Sequence, residues 1–141
     1  MVWVLKMKYR VIDIMSTPPI TLDINASVKK AARLMFDNRI GSVLIVDEEE
    51  KLRGIVTERD LIYLVATGKT TSVDEYPVWQ IMTENPITIA PYEPVTRALA
   101  IMREANIRHL PVVDEENKPI GVISIRDVVN YIVEVIGLLK R

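Results

Sequence analysis

From Ser27 to Asn38 the apolar residues Val28, Ala31, Ala32, Met35 and Phe36 fall at i, i+3, i+4, i+7 and i+8. That spacing predicts a helix with one buried face. Before it, Pro19 to Leu22 reads as a short extended segment, because proline disfavours helix in the residue that precedes it and Ile-Thr-Leu favours strand. After it come Ser42 to Val46, a β-branched and aliphatic run too short for a helix, an acidic turn, and a second strand from Leu52 to Val56 around Gly54. A second helix is expected from Thr57 to a C-capping glycine at Gly68. The same order then returns. Val95, Ala98, Leu99 and Met102 form the apolar stripe of a helix whose first turn suits Pro94. Leu110 to Val113, a turn at Glu115 to Lys118, Ile120 to Ile123 and a helix from Ser124 toward Leu139 complete the set. Each copy is a β-α-β-β-α unit, so the fold class is mixed α/β (α+β).

The two copies are an internal duplication, the feature to seek first in any chain. Shifted by 67 positions, the sequence meets itself without a gap: Tyr9 on Tyr76, Val11 on Val78, Ile14-Met15 on Ile81-Met82, and Pro19-Ile20-Thr21 on Pro86-Ile87-Thr88. Val46-Asp47-Glu48-Glu49 meets Val113-Asp114-Glu115-Glu116, Gly54 meets Gly121, and Arg59-Asp60 meets Arg126-Asp127. The repeats are placed at 9–68 and 78–136, with 69–77 as linker. A unit with three short strands buries too little surface to stand alone, whereas two packed face to face share a core. A gapless duplication also predicts a pseudo-two-fold axis, with clefts on it lined by equivalent residues.

Composition narrows the function. The 141 residues are 49% hydrophobic and 26% charged, the profile of a folded chain, and the net charge of −1 offers no field for nucleic acid or anionic lipid. With no cysteine and one histidine, His109, thiolate zinc sites and cysteine nucleophiles are excluded. The apolar run before Lys6 is too short for a signal-peptide core, and no stretch reaches the roughly 18 residues that span a bilayer. Val128 to Leu139 is broken by Asn130 and Glu134. A cytoplasmic protein without membrane contact is expected.

These residues resemble the CBS domain family. Ile-Met, then Pro-Ile-Thr, the amphipathic helix, Ile107-Arg108-His109-Leu110-Pro111-Val112-Val113-Asp114 and Gly121-Val122-Ile123-Ser124-Ile125-Arg126-Asp127 carry the likeness. The first copy departs from it at Gly41-Ser42-Val43-Leu44, where the family often has a basic residue and then proline. The resemblance implies a disc-like tandem pair (a Bateman-type module of the prokaryotic and archaeal kind) with two clefts. It implies AMP, ADP, ATP or S-adenosylmethionine as regulatory ligand, no cofactor, and regulation of an unidentified partner protein. Because the repeats fill the chain, a stand-alone sensor without catalytic residues is expected.

The resemblance also assigns residues. Thr57 stands at a helix start, where free N–H groups and the helix dipole attract phosphate. Asp60, one turn in, would accept both ribose hydroxyls. Gly54 would let the ligand approach the strand, and Arg59 and Arg126 occupy one slot in both copies. Family geometry would set Thr57 and Asp60 against Ile87, Thr88, Arg108, His109 and Pro111, with Arg108 on phosphate. The mirror cleft would combine Ser124 and Asp127 with Ile20, Thr21, Gly41, Ser42, Val43 and Leu44, without the arginine.

Each motif has a plainer reading. Thr-x-x-Asp at a helix start is also a capping box, and capping does not conflict with ligand binding. Arg108-His109 before a strand can be a polar edge, and His109 has no nucleophile to serve as base. Asp47-Glu48-Glu49-Glu50 reads as a solvated turn, not a metal site. Met15, Met35, Met82 and Met102 read as core fillers, as does Trp79, while Trp3 is a candidate contact residue. Apolar residues beyond one face of the second helices, Leu61, Ile62, Leu64 and Val65 in one copy and Val128, Val129, Ile132, Val133 and Ile136 in the other, point to a homodimer. The alternatives to a sensor are a structural dimerisation module with empty clefts and a nucleic-acid-associated regulator. The balanced charge and the lack of a basic stripe weigh against nucleic acid.

Overall fold

The computed structural model describes residues 9–70 and 72–139. Its elements are α1 (Val11–Ile14), β1 (Thr21–Asp23), α2 (Val28–Asn38), β2 (Ser42–Val46), β3 (Leu52–Thr57), α3 (Glu58–Thr67), a 3-10 turn (Val78–Gln80), β4 (Thr83–Glu84), α4 (Val95–Ala105), β5 (His109–Val113), β6 (Pro119–Ser124) and α5 (Ile125–Leu139). The first copy shows the whole β-α-β-β-α order. In the second the leading strand shrinks to one parallel bridge, Ile89 to Val112, held by Ile89 N donating to Pro111 O at 3.0 Å and Val113 N to Ile89 O at 3.1 Å.

Local chemistry explains the helix boundaries. Ser27 caps α2 by accepting a bond from Lys30 N at 3.1 Å. Val28, Ala31 and Met35 are the buried stripe. Phe36, expected on that stripe, is 78% exposed: one residue past Met35 turns it off the packed face. Gly68 ends α3 with φ of 61°, the left-handed cap the sequence predicts, where a side chain would be strained. Pro94 is the N-cap of α4 and not part of its first turn.

The contacts divide the chain into two compact units whose limits cut across the repeats. Of the described residues, one unit holds those of 19–86 with 116–119; the other holds 9–18, 87–115 and 120–139. In the first unit the sheet runs β1-β2-β3-β4, parallel between β1 and β2 and antiparallel thereafter, with Gly54 opposite Glu84 and Ile55 opposite Thr83. Its core is Leu22, Ala31, Met35, Val43, Ile45, Val56 and Val78. The second unit repeats the order with β5 and β6 flanked by single bridges, Ile89 to Val112 and Ser16 to Val122. Its core includes Val11, Ile89, Val95, Ala98, Met102, Leu110, Ile123 and Val128.

Each unit therefore takes the leading segment of the other copy. Val78 is fully buried in the core built by the first copy, and Val11 in that built by the second. Burying a valine side chain is worth about 1.5–3 kcal/mol, which fastens each segment where it lies. The duplicated glycines make room for this. A Cβ on Gly54 would lie 2.5 Å from Met82 Sδ and 2.9 Å from Thr83 O; one on Gly121 would lie 2.6 Å from Met15 Sδ and 2.9 Å from Ser16 O. The close approach that the sequence reading gave to a ligand is thus made by the protein's own methionine and backbone.

The methionines behave as the sequence predicts: Met35 and Met102 are buried, and Met15 and Met82 pack against the cores. Trp79 does not. It is 47% exposed, a correction to its reading as core, because the 3-10 turn buries Val78 and leaves its neighbour outside. Trp3 lies outside the described residues. Asp47 organises its turn as expected, accepting from Glu49 N at 2.8 Å and Lys51 N at 3.1 Å. No helix among the described residues is long and apolar enough to cross a membrane.

Candidate functional site

The chemistry concentrates where a strand runs directly into a helix, at Thr57 between β3 and α3 and at Ser124 between β6 and α5. At the first junction Asp60 Oδ2 accepts from Thr57 N at 2.8 Å and from the Thr57 hydroxyl at 3.3 Å. At the second, Asp127 Oδ2 accepts from Ser124 N at 2.8 Å and Ser124 Oγ at 3.0 Å, while Asp127 N donates to Ser124 Oγ at 3.2 Å. The capping reading is therefore real at both. It leaves Oδ1 of each carboxylate outside the cap. Burial pushes the Asp60 carboxyl above its ordinary value, against the opposing pull of the Thr57 N–H and hydroxyl.

One backbone bond ties each junction to the loop before the preceding hairpin strand. Glu58 N donates to Gly41 O at 3.1 Å, and Ile125 N donates to Arg108 O at 3.0 Å. Gly41 and Ser42 thus stand beside Thr57, with Ser42 directly opposite it in the sheet. The backbone of Arg108 thus stands at the start of α5, in the same compact unit as Ser124 and Asp127. The resemblance pairs Arg108 with Thr57 and Asp60; within its own unit the Arg108 carbonyl receives Ile125 N at the start of α5. The Arg108 side chain is exposed and makes no ion pair among the described residues, and His109 opens β5 half-buried.

The remaining candidates divide by exposure. Arg59 and Arg126 lie exposed in the first turns of α3 and α5. Thr21 is exposed opposite Leu44, and Ile20 O accepts from Leu44 N at 3.2 Å. Ile87 is half exposed and Thr88 partly buried. Val43, Leu44 and Pro111 are fully buried, so their side chains present no surface within this structure.

Sequence reasoning missed Ser16. Its hydroxyl donates to Asp127 Oδ1 at 2.9 Å, while its backbone bridges Val122. A signal existed: a hydroxyl residue follows the duplicated Ile-Met in both copies, Ser16 in one and Thr83 in the other. Thr17, next to it, donates to Ile120 O at 2.8 Å. Together these junctions offer a carboxylate acceptor, a helix N-terminus and, next in the fold to one of them, Arg108, exposed and without an ion pair among the described residues. That donor and acceptor set suits a vicinal diol carrying a phosphate.

Comparison with known proteins agrees with the duplication. The CBS domain pattern matches residues 11–67 and again 78–134. The chain is 37% identical over 116 residues to the L-aspartate semialdehyde sulfurtransferase of Methanocaldococcus jannaschii, covering 82% of this chain and 22% of that one. It thus spans about a fifth of that relative's length. A 17.7 kDa protein of Acidianus ambivalens is 31% identical, with 92% of this chain and 76% of that one covered. Among solved structures, the CBS domain pair of protein MJ0100, in complex with 5′-methylthioadenosine and S-adenosyl-L-methionine, is similar at TM-score 0.82 and 33% identity, covering 89% of this chain and 97% of that one. The CBS domain protein PAE2072 from Pyrobaculum aerophilum, complexed with AMP, is similar at TM-score 0.78 and 30% identity over 84% and 89%. With both repeats matched and the same strand and helix order observed, this chain belongs to the CBS domain family.

Proposed function

We propose that the chain binds an adenosine-containing ligand, AMP, ADP, ATP or S-adenosylmethionine, and signals its presence to a partner protein. The observation that carries this reading is the doubled strand-to-helix junction, with Thr57 and Asp60 in one copy and Ser124 and Asp127 in the other. Capping needs only one carboxylate oxygen, and both copies spend only one on it. The second oxygen is the acceptor a ribose diol requires. Solved relatives hold 5′-methylthioadenosine, S-adenosyl-L-methionine and AMP, ligands that share the adenosyl group.

In this reading Asp60 and Asp127 take the ribose. Arg108 and His109 take phosphate on the Asp127 side, and Gly41 and Ser42 occupy the corresponding place on the Asp60 side. Ile20, Thr21, Ile87 and Thr88 supply backbone and apolar contacts to the base. Leu64 and Val128, expected on the pairing face, turn inward and are buried, and Leu61 packs against the core; the outer faces of α3 and α5, with Val65 80% and Val133 62% exposed, support pairing with a second copy. Thermal-shift measurements with AMP, ADP, ATP, S-adenosylmethionine and NAD test the binding. A ligand present at about 100 times its Kd adds about 2.7 kcal/mol to stability. No shift with any of the adenosyl compounds would overturn the reading.

A further inference from the structure

We propose that Ser16 is a built-in competitor for the ribose position on Asp127, and that the matching position on Asp60 stands open. The inference rests on the nucleotide reading above and adds an inequality between the two carboxylates. An ionised carboxylate has about four lone-pair sites. Asp127 uses three: Ser124 N at 2.8 Å, Ser124 Oγ at 3.0 Å and, on the other oxygen, Ser16 Oγ at 2.9 Å. Asp60 uses two, both on Oδ2, from Thr57 N at 2.8 Å and Thr57 Oγ1 at 3.3 Å. Its Oδ1 receives no bond among the described residues. A vicinal diol brings two donors, so Asp60 can take both while Asp127 must first release Ser16.

The duplication supplies an internal control. Thr83 is the counterpart of Ser16, and the two backbones are placed alike: Thr83 lies opposite Ile55 in β3, and Ser16 lies opposite Val122 in β6. Ser16 N donates to Val122 O at 2.8 Å and Val122 N to Ser16 O at 3.0 Å, which fixes the hydroxyl's origin. Thr83 makes no hydrogen bond to Asp60 among the described residues. The chemical difference is one β-methyl group, which restricts χ1 in threonine and leaves serine free to turn its hydroxyl toward the carboxylate. The fold therefore does not require the bond, since one copy does without it. The exposed Ser16 hydroxyl also has water as an alternative partner, so a ligand can displace it.

Calorimetric titration with AMP tests this on wild type, Ser16→Ala and Ser16→Thr, each also in an Asp60→Ala background that leaves the Asp127 side alone. Wild type should bind in two unequal steps. Ser16→Ala should strengthen the weaker step roughly tenfold, the worth of one hydrogen bond to a charged acceptor at a solvated position, and keep that gain in the Asp60→Ala background. Ser16→Thr, which installs the side chain found in the other copy, should gain similarly. With 2′-deoxy-AMP, which lacks one donor of the diol, the gain should vanish. Wild-type binding that Ser16→Ala leaves unchanged or weakens would overturn the inference while sparing the nucleotide reading. An equal gain with 2′-deoxy-AMP would overturn it too. No binding of AMP, or of ADP, ATP or S-adenosylmethionine in its place, by any of these proteins would remove both.

Discussion

Replacing Asp60 by alanine separates the two roles its carboxylate is given. The cap is the pair of bonds that Oδ2 accepts from Thr57 N at 2.8 Å and Thr57 Oγ1 at 3.3 Å. Losing a helix cap costs about 1 kcal/mol, or a few degrees of Tm for a chain of this length. Burial raises the carboxyl's pKa, so part of that loss is returned when the half-buried charge goes, and the net destabilisation should fall at or below about 1 kcal/mol. The ribose role uses Oδ1. One or two hydrogen bonds to a charged acceptor are worth roughly 1.5–3 kcal/mol each, and Asp60 is partly solvated, so the lower end applies. Affinity for AMP at the stronger site should drop by about ten- to a hundredfold. Melting and calorimetry on the same preparation read both numbers. A protein that loses its degree or two of Tm and keeps its affinity would show that Asp60 is a cap only, and the ribose assignment would be wrong.

Three further outcomes follow from the geometry. Asp60's raised pKa means the folded state holds its proton more tightly than the unfolded chain, so this contribution is fully present below the unfolded value and lost as pH rises through the folded one. Wild type should therefore gain in Tm relative to Asp60→Asn as pH is lowered through that interval, and a pH-independent difference would contradict the burial. Gly121→Ala forces a Cβ to within 2.9 Å of Ser16 O, a backbone atom that accepts from Val122 N at 3.0 Å, and should cost about 2–3 kcal/mol in urea denaturation; a loss under about 0.5 kcal/mol would show that the leading segment is not clamped there. Val133→Glu, on the exposed face of α5, should convert a dimer to monomer in sedimentation, and a wild type that is monomeric at every concentration would refute the pairing.

The sequence by itself determined the repeat, the order of elements and the chemistry at each junction. These are local or periodic properties. The stripe Val28, Ala31, Met35 specifies a helix from spacing alone, Gly68 stops α3 because only glycine takes φ of 61° at little cost, and Thr-x-x-Asp caps through a bond spanning three residues. A gapless alignment of two copies carries the family with it. What the sequence leaves open is which copy each segment completes, because both leading segments offer the same Val, Ile and Met. Tertiary packing decided that Val78 fills the core of β1 to β3 and Val11 that of β5 and β6. The same exchange turned Gly54 and Gly121 from apparent ligand contacts into seats for Met82 and Met15. It also brought Ser16 to Asp127 across 111 residues of sequence, a contact no local spacing encodes. Trp79 was misjudged for the same reason: its counterpart Ile12 suggested burial, but exposure depends on how a 3-10 turn rests on a sheet, and that turn buries Val78 instead.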